Sequence, residues 1–495
     1  MHINYNGYRI PDSSCSLDRI DPNSMDPKTF FERYVSTRTP CILNQLPSPS
    51  TTSTDCKPWD WLSLAWLVKH AGNAIVSVER KDASIDRFGS GKKRELIKLD
   101  DLVKLLETGE QDVYMTTQYD NHEEVQPELT SNRNESMSGL EEHDSLDCND
   151  KSDTYSHSDL DSPSKISDYA SPPLDSVVKH IPISLNLFGN LIPHLMNLWI
   201  GSSTAAQGTS SGLHHDFHDN FYLLKSGAKQ FTIFSPDDTD AMYLNGNVVQ
   251  VHENGLQEYA DTSSHGVRAD GAFLYDVASY QLQIAQDAMD IAITPSEIEL
   301  AEKNLDYAMQ QILDYQDPDN ESIFSQDADD TQSDVEVAQN HPVSLTQTKK
   351  RNTHATLENV QPSLKKVKTH QDTPIQLPAP GKSESDPPSF SRIPIQILDK
   401  FIAGQPPPNQ FGKLANATGI RFKLNAGEAL YLPGGWFHEV RSFSSSNSTE
   451  INPHLALNFW LEPPTTNNFD NPYPDHYWRD IRWKPLQECM ANATR

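Results

Sequence analysis

The sequence has few cysteines, and they do not form a recognisable pattern. The five, Cys15, Cys41, Cys56, Cys148 and Cys489, are odd in number and never share CxxC spacing. This argues against a disulfide framework or a zinc ribbon. No apolar stretch approaches the roughly 20 residues that span a bilayer. The opening MHINYNGYRIPDSS also lacks the basic and apolar regions of a signal peptide. We therefore expect a soluble protein of a reducing compartment, with no membrane partner.

Basic residues are also scarce relative to acidic ones. Lys and Arg number 40 against 69 Asp and Glu, a formal net charge of -29. Because affinity for a phosphate backbone needs basic surface, this balance argues against direct nucleic-acid binding and favours a basic protein as substrate. With 36% hydrophobic residues and a mean hydropathy of -0.62, the chain predicts folded blocks separated by solvated inserts.

Two polar segments, 121–175 and 316–388, contain few large aliphatic residues. Such segments bury too little apolar surface to offset their ordering entropy, so we predict that both are disordered. The second carries two basic clusters, KKR at 349–351 and KKVK at 365–368, separated by thirteen residues. They resemble a bipartite nuclear import signal, although a solvated charge run explains them equally well. The expected localisation is nuclear, cytoplasmic or both.

The remaining segments predict a β-rich domain that is interrupted by the inserts. Thr294-Pro295-Ser296-Glu297 forms a capping box that predicts a helix after it. Segments such as KQFTIF and HLALNFWLEPP have the composition or period-2 alternation of strands. The predicted division is 1–120, an N-terminal α/β part; 121–175, an acidic linker; 176–260, the first strand-rich half; 261–315, a helical insertion; 316–388, the second insert; 389–470, the second strand-rich half; and 471–495, a C-terminal tail.

A His-x-Asp pair suggests a metal site. Two histidines and one carboxylate hold iron while leaving three coordination positions open, and residues two apart on a strand point the same way. The pattern occurs three times, at His157/Asp159, His214/Asp216 and His370/Asp372. Only His214/Asp216 lies among predicted strands. Its neighbours His215 and His218 lack a carboxylate two residues later.

A third ligand must come from elsewhere in the chain. The candidates are His265, His438, His454 and His476. His438 follows the apolar segment ALYL and the turn Pro433-Gly434-Gly435, where a buried imidazole without a partner would be costly. We therefore favour His438, although a hydrogen-bonded histidine on a polar strand face is commoner than a ligand.

The segment SGLHHDFHDNFYLLKSGAKQFTIFSP, with GEALYLPGGWFHEVRSF and LALNFWLEPP, resembles the JmjC/cupin-like oxygenases. Within them it is similar to the protein hydroxylases typified by the asparaginyl hydroxylase that inhibits hypoxia-inducible factor. The resemblance covers roughly 25–120, 180–260 and 415–465. It implies a mainly β fold, a double-stranded β-helix or jelly roll, with N-terminal helices and both long inserts outside it.

The resemblance also implies a cofactor and a set of contacts. It makes His214, Asp216 and His438 the Fe(II) ligands, and Lys229 the partner of the distal carboxylate of 2-oxoglutarate, which reacts with O2. Further implied contacts with the co-substrate are Tyr114, Ser211, Asn220, Asn458 and Trp460. At the position of Ser211 the family commonly has threonine. Without the resemblance, a solvated turn would explain Lys229, and core packing would explain several of the others.

The implied function is hydroxylation of a protein side chain, coupled to decarboxylation of 2-oxoglutarate to succinate. On an N-methyl group of lysine or arginine the same reaction gives demethylation. No chromatin-reading module is visible, which favours hydroxylation. A third interpretation is a non-catalytic interaction protein on the same scaffold. That would predict a broken triad or a missing Lys229, and neither is seen. The substrate and the oligomeric state stay open.

Overall fold

A computed structural model describes residues 1–50, 59–81, 88, 94–111, 113–118, 165–260, 266–315, 386–446 and 451–493. Several sequence predictions lie outside these residues. They are the insert predictions for 121–164 and 316–385, the basic clusters, the pairs His157/Asp159 and His370/Asp372, and the candidate His265.

The described elements are mostly strands. The strands are β1 (His2–Ile3), β2 (Arg19–Ile20), β3 (Cys41–Leu43), β4 (Ile75–Arg80), β5 (Glu95–Lys98), β6 (Val113–Met115), β7 (Pro193–Gly201), β8 (Thr209–Ser210), β9 (His214–His215), β10 (Asp219–Ser226), β11 (Ala228–Phe234), β12 (Val248–Val251), β13 (Gln257–Tyr259), β14 (Gly419–Asn425), β15 (Ala429–Leu432), β16 (Phe437–Phe443), β17 (Ser445–Ser446), β18 (Ile451–Asn452) and β19 (His454–Leu461). The α-helices are α1 (Pro27–Phe30), α2 (Leu64–Ala71), α3 (Leu99–Glu107), α4 (Leu274–Ile291), α5 (Pro295–Tyr315), α6 (Ile395–Ile402) and α7 (Lys484–Ala493). Short 3-10 helices are Ile166–Asp168, Leu174–His180, Asn186–Phe188, Pro236–Ala241 and Asn409–Asn416, and π-helical turns are Phe31–Val35 and Arg479–Trp483.

Two sheets form the β-helix. The larger has the order β2-β3-β15-β10-β19-β7-β6-β4-β5, and the smaller has the order β14-β11-β16-β8, with β9 also paired to β16. Strands from before and after the second insert are therefore neighbours: β10 pairs with β15 and β19, and β11 pairs with β14 and β16. This confirms the predicted double-stranded β-helix and its mainly β character.

Alternation along β10 shows how the larger sheet is buried on both faces. Tyr222 and Leu224 lie in a core shared with Phe231 and Ile233 of the smaller sheet, so this core fills the space between the sheets. Phe221 belongs to a second core under the N-terminal helices. Successive strand residues point to opposite faces, so one strand can supply both cores.

The helical insertion forms as the sequence predicts. The Glu297 amide donates to the Thr294 hydroxyl at 3.3 Å, and the Thr294 amide donates to the Glu297 carboxylate at 2.9 Å, which completes the capping box. Ala301 and Ala308 are buried on one face of α5, at the spacing expected for helical packing. Helices α4 and α5 pack against each other.

Residues 165–175, which the sequence analysis assigned to the acidic linker, belong to the folded unit. Tyr169, Ala170 and Leu174 are buried there, and the Ser171 amide donates to the Met196 carbonyl on β7 at 3.0 Å. The predicted end of the linker lies too late in the chain, because polar residues dominate 165–175. A few well-buried side chains nevertheless fix it.

Candidate active site

The structure brings His214, Asp216 and His438 together. His214 on β9 and His438 on β16 are directly paired in the register of the smaller sheet, with ring centroids 4.3 Å apart. The His438 Nε2 lies 3.6 Å from the Asp216 carboxylate, and one ligand atom from each of the three residues lies within 4.8 Å of the others. This arrangement can hold one metal ion in a facial geometry.

Both imidazoles are oriented in the same way by the backbone. His214 Nδ1 lies 3.0 Å from the Gly212 carbonyl, and His438 Nδ1 lies 3.0 Å from the Trp436 carbonyl. A carbonyl oxygen can only accept, so each Nδ1 carries the proton and each Nε2 keeps its lone pair. This is the tautomer that a metal-binding histidine needs when its other nitrogen is fixed by a hydrogen bond.

A chain of amide contacts orients the carboxylate. The Asn220 amide donates to Asp216 at 3.4 Å, the Asn458 amide donates to the Asn220 oxygen at 3.3 Å, and the Trp199 indole donates to Asn458 at 3.0 Å. Asn220 and Asn458, which the resemblance placed near the co-substrate, therefore also connect to the carboxylate. These three side chains, Asn220, Asn458 and Trp199, form a hydrogen-bond relay across β10, β19 and β7, so the larger sheet positions Asp216.

A buried ion pair fixes the two turns that flank the group. Asp219 accepts from the Arg38 guanidinium at 2.8 Å, from the Tyr431 hydroxyl at 2.7 Å and from the Gly434 amide at 2.9 Å. Asp219 lies three residues after Asp216, and Gly434 lies in the turn that precedes His438. Asp219 therefore connects the Pro433-Gly434-Gly435 turn to β10, the strand that follows His214 and Asp216.

Gly435 in the same turn cannot be replaced without displacing backbone. Its φ is +80°, and an added Cβ would lie 2.0 Å from the Gly255 carbonyl oxygen. The Gly435 amide donates to the Asp216 carbonyl at 2.8 Å. Glycine is required because only a residue without a Cβ adopts this conformation so close to another chain segment.

Lys229 is fully buried between the sheets. Its ammonium donates to the Ser442 hydroxyl at 2.6 Å and to the Tyr114 hydroxyl at 3.3 Å. Within the described part of the chain no carboxylate lies within ion-pairing distance of it. Burial lowers the pKa of Lys229 to about 7, because desolvation disfavours the charged form. A buried cation surrounded by hydroxyl groups is suited to binding an anion.

Ser442 is a contact that the sequence analysis missed. It pairs directly with Lys229 across β11 and β16 and lies four residues after His438, on the same strand face. Extending the alternation beyond His438 would have found it. The Ser211 hydroxyl instead donates to the Gly212 carbonyl at 2.9 Å and accepts from the Val440 amide at 3.1 Å. A role of Ser211 at the co-substrate stays a prediction.

The other histidine candidates have different surroundings. His215 is buried beside the Tyr259 hydroxyl, and burial lowers its pKa to about 3. His454 is buried near Lys229, and burial first and the lysine charge second lower its pKa. The backbone carbonyl of His476, in the C-terminal tail, accepts a hydrogen bond from the Asp480 amide.

His218 belongs to a second group with His194 and Glu462 that could also hold a metal. The His194 and His218 rings are stacked 3.8 Å apart, and His194 Nδ1 lies 2.7 Å from Glu462. Burial lowers the pKa of His218 well below its usual value, so the ring is neutral. No local sequence pattern marks this group, because its three residues are far apart in the chain.

Comparison with known proteins identifies the fold family. Residues 27–467 match the model of the cupin-like domain. The chain belongs to this family. One similar curated protein is the JmjC domain-containing protein 4 of Schizosaccharomyces pombe (strain 972 / ATCC 24843), which is 28% identical over 495 residues, 95% of this chain and 89% of the relative.

Membership in the cupin-like family agrees with the two sheets and with the residues between them. The domain is of the JmjC cupin type, which is typical of oxygenases, and the metal-binding groups are compatible with Fe(II). Among the described residues, no helix has both the length and the apolar character that crossing a membrane requires.

Proposed function

We propose that this cupin-like protein is an Fe(II)- and 2-oxoglutarate-dependent oxygenase that hydroxylates a protein side chain. The observation that carries the proposal is the combination of an open two-histidine, one-carboxylate group with a buried lysine that lacks an ionic partner among the described residues. All four residues lie in the smaller sheet or directly beside it: His214 lies on β9 and Asp216 directly after it, Lys229 lies on β11, and His438 lies on β16.

The residues fit the proposed metal. In both imidazoles Nδ1 carries the proton that is bonded to a backbone carbonyl, so Nε2 has the lone pair that a metal needs. The carboxylate of Asp216 is partly exposed, at 23% of its side chain. Three protein ligands on one face leave room for a chelating co-substrate and oxygen. Bound iron would supply the activation of O2 that is coupled to loss of CO2 from the keto acid.

The chain's own residues would position the co-substrate. The Lys229 ammonium and the hydroxyl groups of Tyr114 and Ser442 would bind its distal carboxylate, with a charge-assisted bond in a dry pocket. Asn220 and Asn458 would keep the Asp216 carboxylate in place. Phe390, stacked on His214 at 4.7 Å, would limit the access of water to the metal. Trp460 lies beside His218, at 5.6 Å, and its contact with the co-substrate stays a prediction.

The charge of the chain favours a basic protein substrate. A formal net charge of -29 attracts a cationic partner through long-range electrostatics. Free nucleic acid would be repelled by the same charge.

Mass spectrometry of candidate proteins tests the proposal. Purified protein with Fe(II), 2-oxoglutarate and O2 should add one oxygen atom to a side chain and form succinate. The matched control is Asp216→Ala, which should give neither product. Loss of a methylene unit from a methylated residue would instead assign demethylation. Absence of succinate formation with every candidate would favour a non-catalytic role.

We further propose that the basic clusters at 349–351 and 365–368 direct the protein to the nucleus. The support is their composition and spacing alone. A fluorescent fusion of the full chain should lose nuclear enrichment when all five lysines and the one arginine of the clusters are replaced by alanine. Unchanged distribution would show that they are a solvated charge run.

A further inference from the structure

The group of His194, His218 and Glu462 joins three separate parts of the larger sheet. His194 lies on β7, His218 just before β10, and Glu462 just after β19. The two oxygens of Glu462 face different histidines: Oε1 lies 2.7 Å from His194 Nδ1, within hydrogen-bond distance, and Oε2 lies 3.7 Å from His218 Nδ1, beyond it. All three residues are more than nine-tenths buried, with exposed fractions of 8%, 8% and 1%.

His218 is the informative member because its hydrogen bonding is incomplete. Neither of its ring nitrogens has a hydrogen-bond partner among the described residues. Leaving a buried polar group unsatisfied is energetically costly, and buried polar atoms in folded proteins are rarely left so. Its Nδ1 faces the Glu462 oxygen that His194 does not use. A shared cation would satisfy the ring nitrogen and the free carboxylate oxygen together.

The space beside the group can accept an ion. A cavity of about 30 Å³ is lined by the two histidines and Glu462, and also by Asp276, Tyr477 and Trp478. One water-sized sphere needs only about 10–15 Å³, so an ion with a water fits. Asp276, at the start of α4, adds a second carboxylate to the wall. It could complete the coordination directly or through that water.

We propose that His194, His218 and Glu462 bind a second divalent cation, Zn²⁺, at a structural site separate from the group of His214, Asp216 and His438. Imidazole nitrogens and a carboxylate suit zinc, which binds them at about 2.0–2.2 Å. Tetrahedral geometry then places two ligand atoms about 3.3–3.6 Å apart, close to the 3.7 Å between His218 and Glu462. Calcium and magnesium would prefer oxygen ligands.

The surrounding charge determines which oxygen the ion would use. The Arg482 guanidinium is buried, and its Nε lies 3.7 Å from Glu462 Oε1. It also donates to the carbonyls of Asp168 and His194. The guanidinium of Arg482 therefore lies on the Oε1 side of the Glu462 carboxylate. The zinc ion would bind at Oε2, next to His218. The site would join β7, β19 and the loop before β10 to the helix α4 and the C-terminal tail that line its cavity.

Counting metal ions on the full chain tests the proposal without any assay of turnover. Co²⁺ serves as the probe because four-coordinate Co²⁺ absorbs visible light more strongly than six-coordinate Co²⁺. Metal-free wild-type protein should bind two Co²⁺, and Zn²⁺ should displace the more strongly absorbing one. Asp216→Ala should retain that strong band and lose the other ion. His218→Ala should lose the strong band and retain one ion.

The controls separate loss of the site from loss of the fold. Glu462→Gln keeps the shape of the side chain and should also lose the strong band, with an unchanged circular dichroism spectrum. His252→Ala removes another histidine that lies near a glutamate, Glu258 at 3.6 Å, and should still bind two ions. Zinc should raise the melting temperature of Asp216→Ala but not of the double variant Asp216→Ala/Glu462→Gln. A folded Asp216→Ala protein that binds no Co²⁺ or Zn²⁺ would overturn the proposal.

Discussion

Two groups of two histidines and one carboxylate lie in this fold, and they differ in how their imidazoles are oriented. In the group of His214, Asp216 and His438, each Nδ1 is bonded to the carbonyl two residues earlier. In the group of His194, His218 and Glu462, the carboxylate contacts one ring directly and the other ring has no hydrogen bond among the described residues. The first group is also more exposed than the second.

These differences separate two uses of the same ligand types. A hydrogen bond from Nδ1 to a backbone carbonyl fixes the orientation of each ring. A metal and its exchangeable ligands would therefore bind and dissociate without reorganising the protein. In the second group the carboxylate contacts the His194 ring directly, and a bound ion would itself connect that carboxylate to His218. Ligand identity alone therefore does not assign a role. The partners of the non-coordinating nitrogens distinguish the two groups.

The largest expected effect comes from removing the carboxylate of the first group. Asp216→Ala should lower succinate formation by more than roughly 100-fold, since loss of supporting partners alone typically costs 10–100-fold. Circular dichroism should be unchanged, because Asp216 is partly exposed. Asp159→Ala and Asp372→Ala, from the other two His-x-Asp pairs, are the matched controls and should keep wild-type turnover. Full activity of folded Asp216→Ala would reject the first group as the iron site.

Lys229 distinguishes the two groups further, because only the first is proposed to work with a bound anion. Lys229→Met should weaken 2-oxoglutarate binding by roughly 10- to 100-fold, the equivalent of a charge-assisted bond of about 1.5–3 kcal/mol. The same variant should raise the melting temperature of the ligand-free protein, because it removes a buried cation. Calorimetry and thermal denaturation measure the two effects.

The control for Lys229→Met is Lys225→Met on β10, the preceding strand in the chain. Lys225 donates to the Trp59 carbonyl at 2.9 Å and is not fully buried. It should leave 2-oxoglutarate affinity unchanged. An unaltered affinity in Lys229→Met would mean that another group binds the carboxylate. Arg421 is a poor substitute because it is paired with Asp399 at 2.8 Å.

Local patterns in the sequence predicted a β-rich domain and a grouping of His214, Asp216 and His438, whereas the double-stranded β-helix was implied by the family resemblance. Strand alternation, the capping box at Thr294 and the His-x-Asp spacing are local patterns, and each is set by side-chain periodicity. The distant His438 was found because it follows a turn and an apolar strand. These patterns can be recognised in the sequence without knowing which strands pair.

The second group, and the contact of Ser442 with Lys229, depend on pairing that no local pattern encodes. His194 and Glu462 meet only because β7 lies beside β19, with an irregularity in register near Trp460 and Leu461. Ser442 reaches Lys229 through the β11–β16 register. Likewise, residues 165–175 are folded because of tertiary burial, whereas their composition is polar.

A smaller effect is expected from pH, and it again concerns the first group alone. Below about pH 7 Lys229 is charged and binds the carboxylate directly. Above it, the ligand-free lysine is neutral, so binding must take up a proton and the affinity for 2-oxoglutarate should fall by up to about tenfold per pH unit. Calorimetry at pH 8 in buffers of different ionisation enthalpy should detect the uptake. A constant affinity up to pH 9 would contradict this.

The smallest expected effect is on the relay that orients Asp216. Asn458→Ala removes the amide between Trp199 and Asn220, and one neutral hydrogen bond contributes about 1 kcal/mol, or about fivefold in affinity. Because the amide acts through Asp216, iron affinity and turnover at limiting iron should fall together, and saturating iron should restore turnover. Asn190→Ala, which removes an exposed amide bonded to the Phe469 carbonyl, should change neither. If Asn458→Ala instead weakened only 2-oxoglutarate binding, Asn458 would contact the co-substrate directly and the relay would have no part in holding the metal.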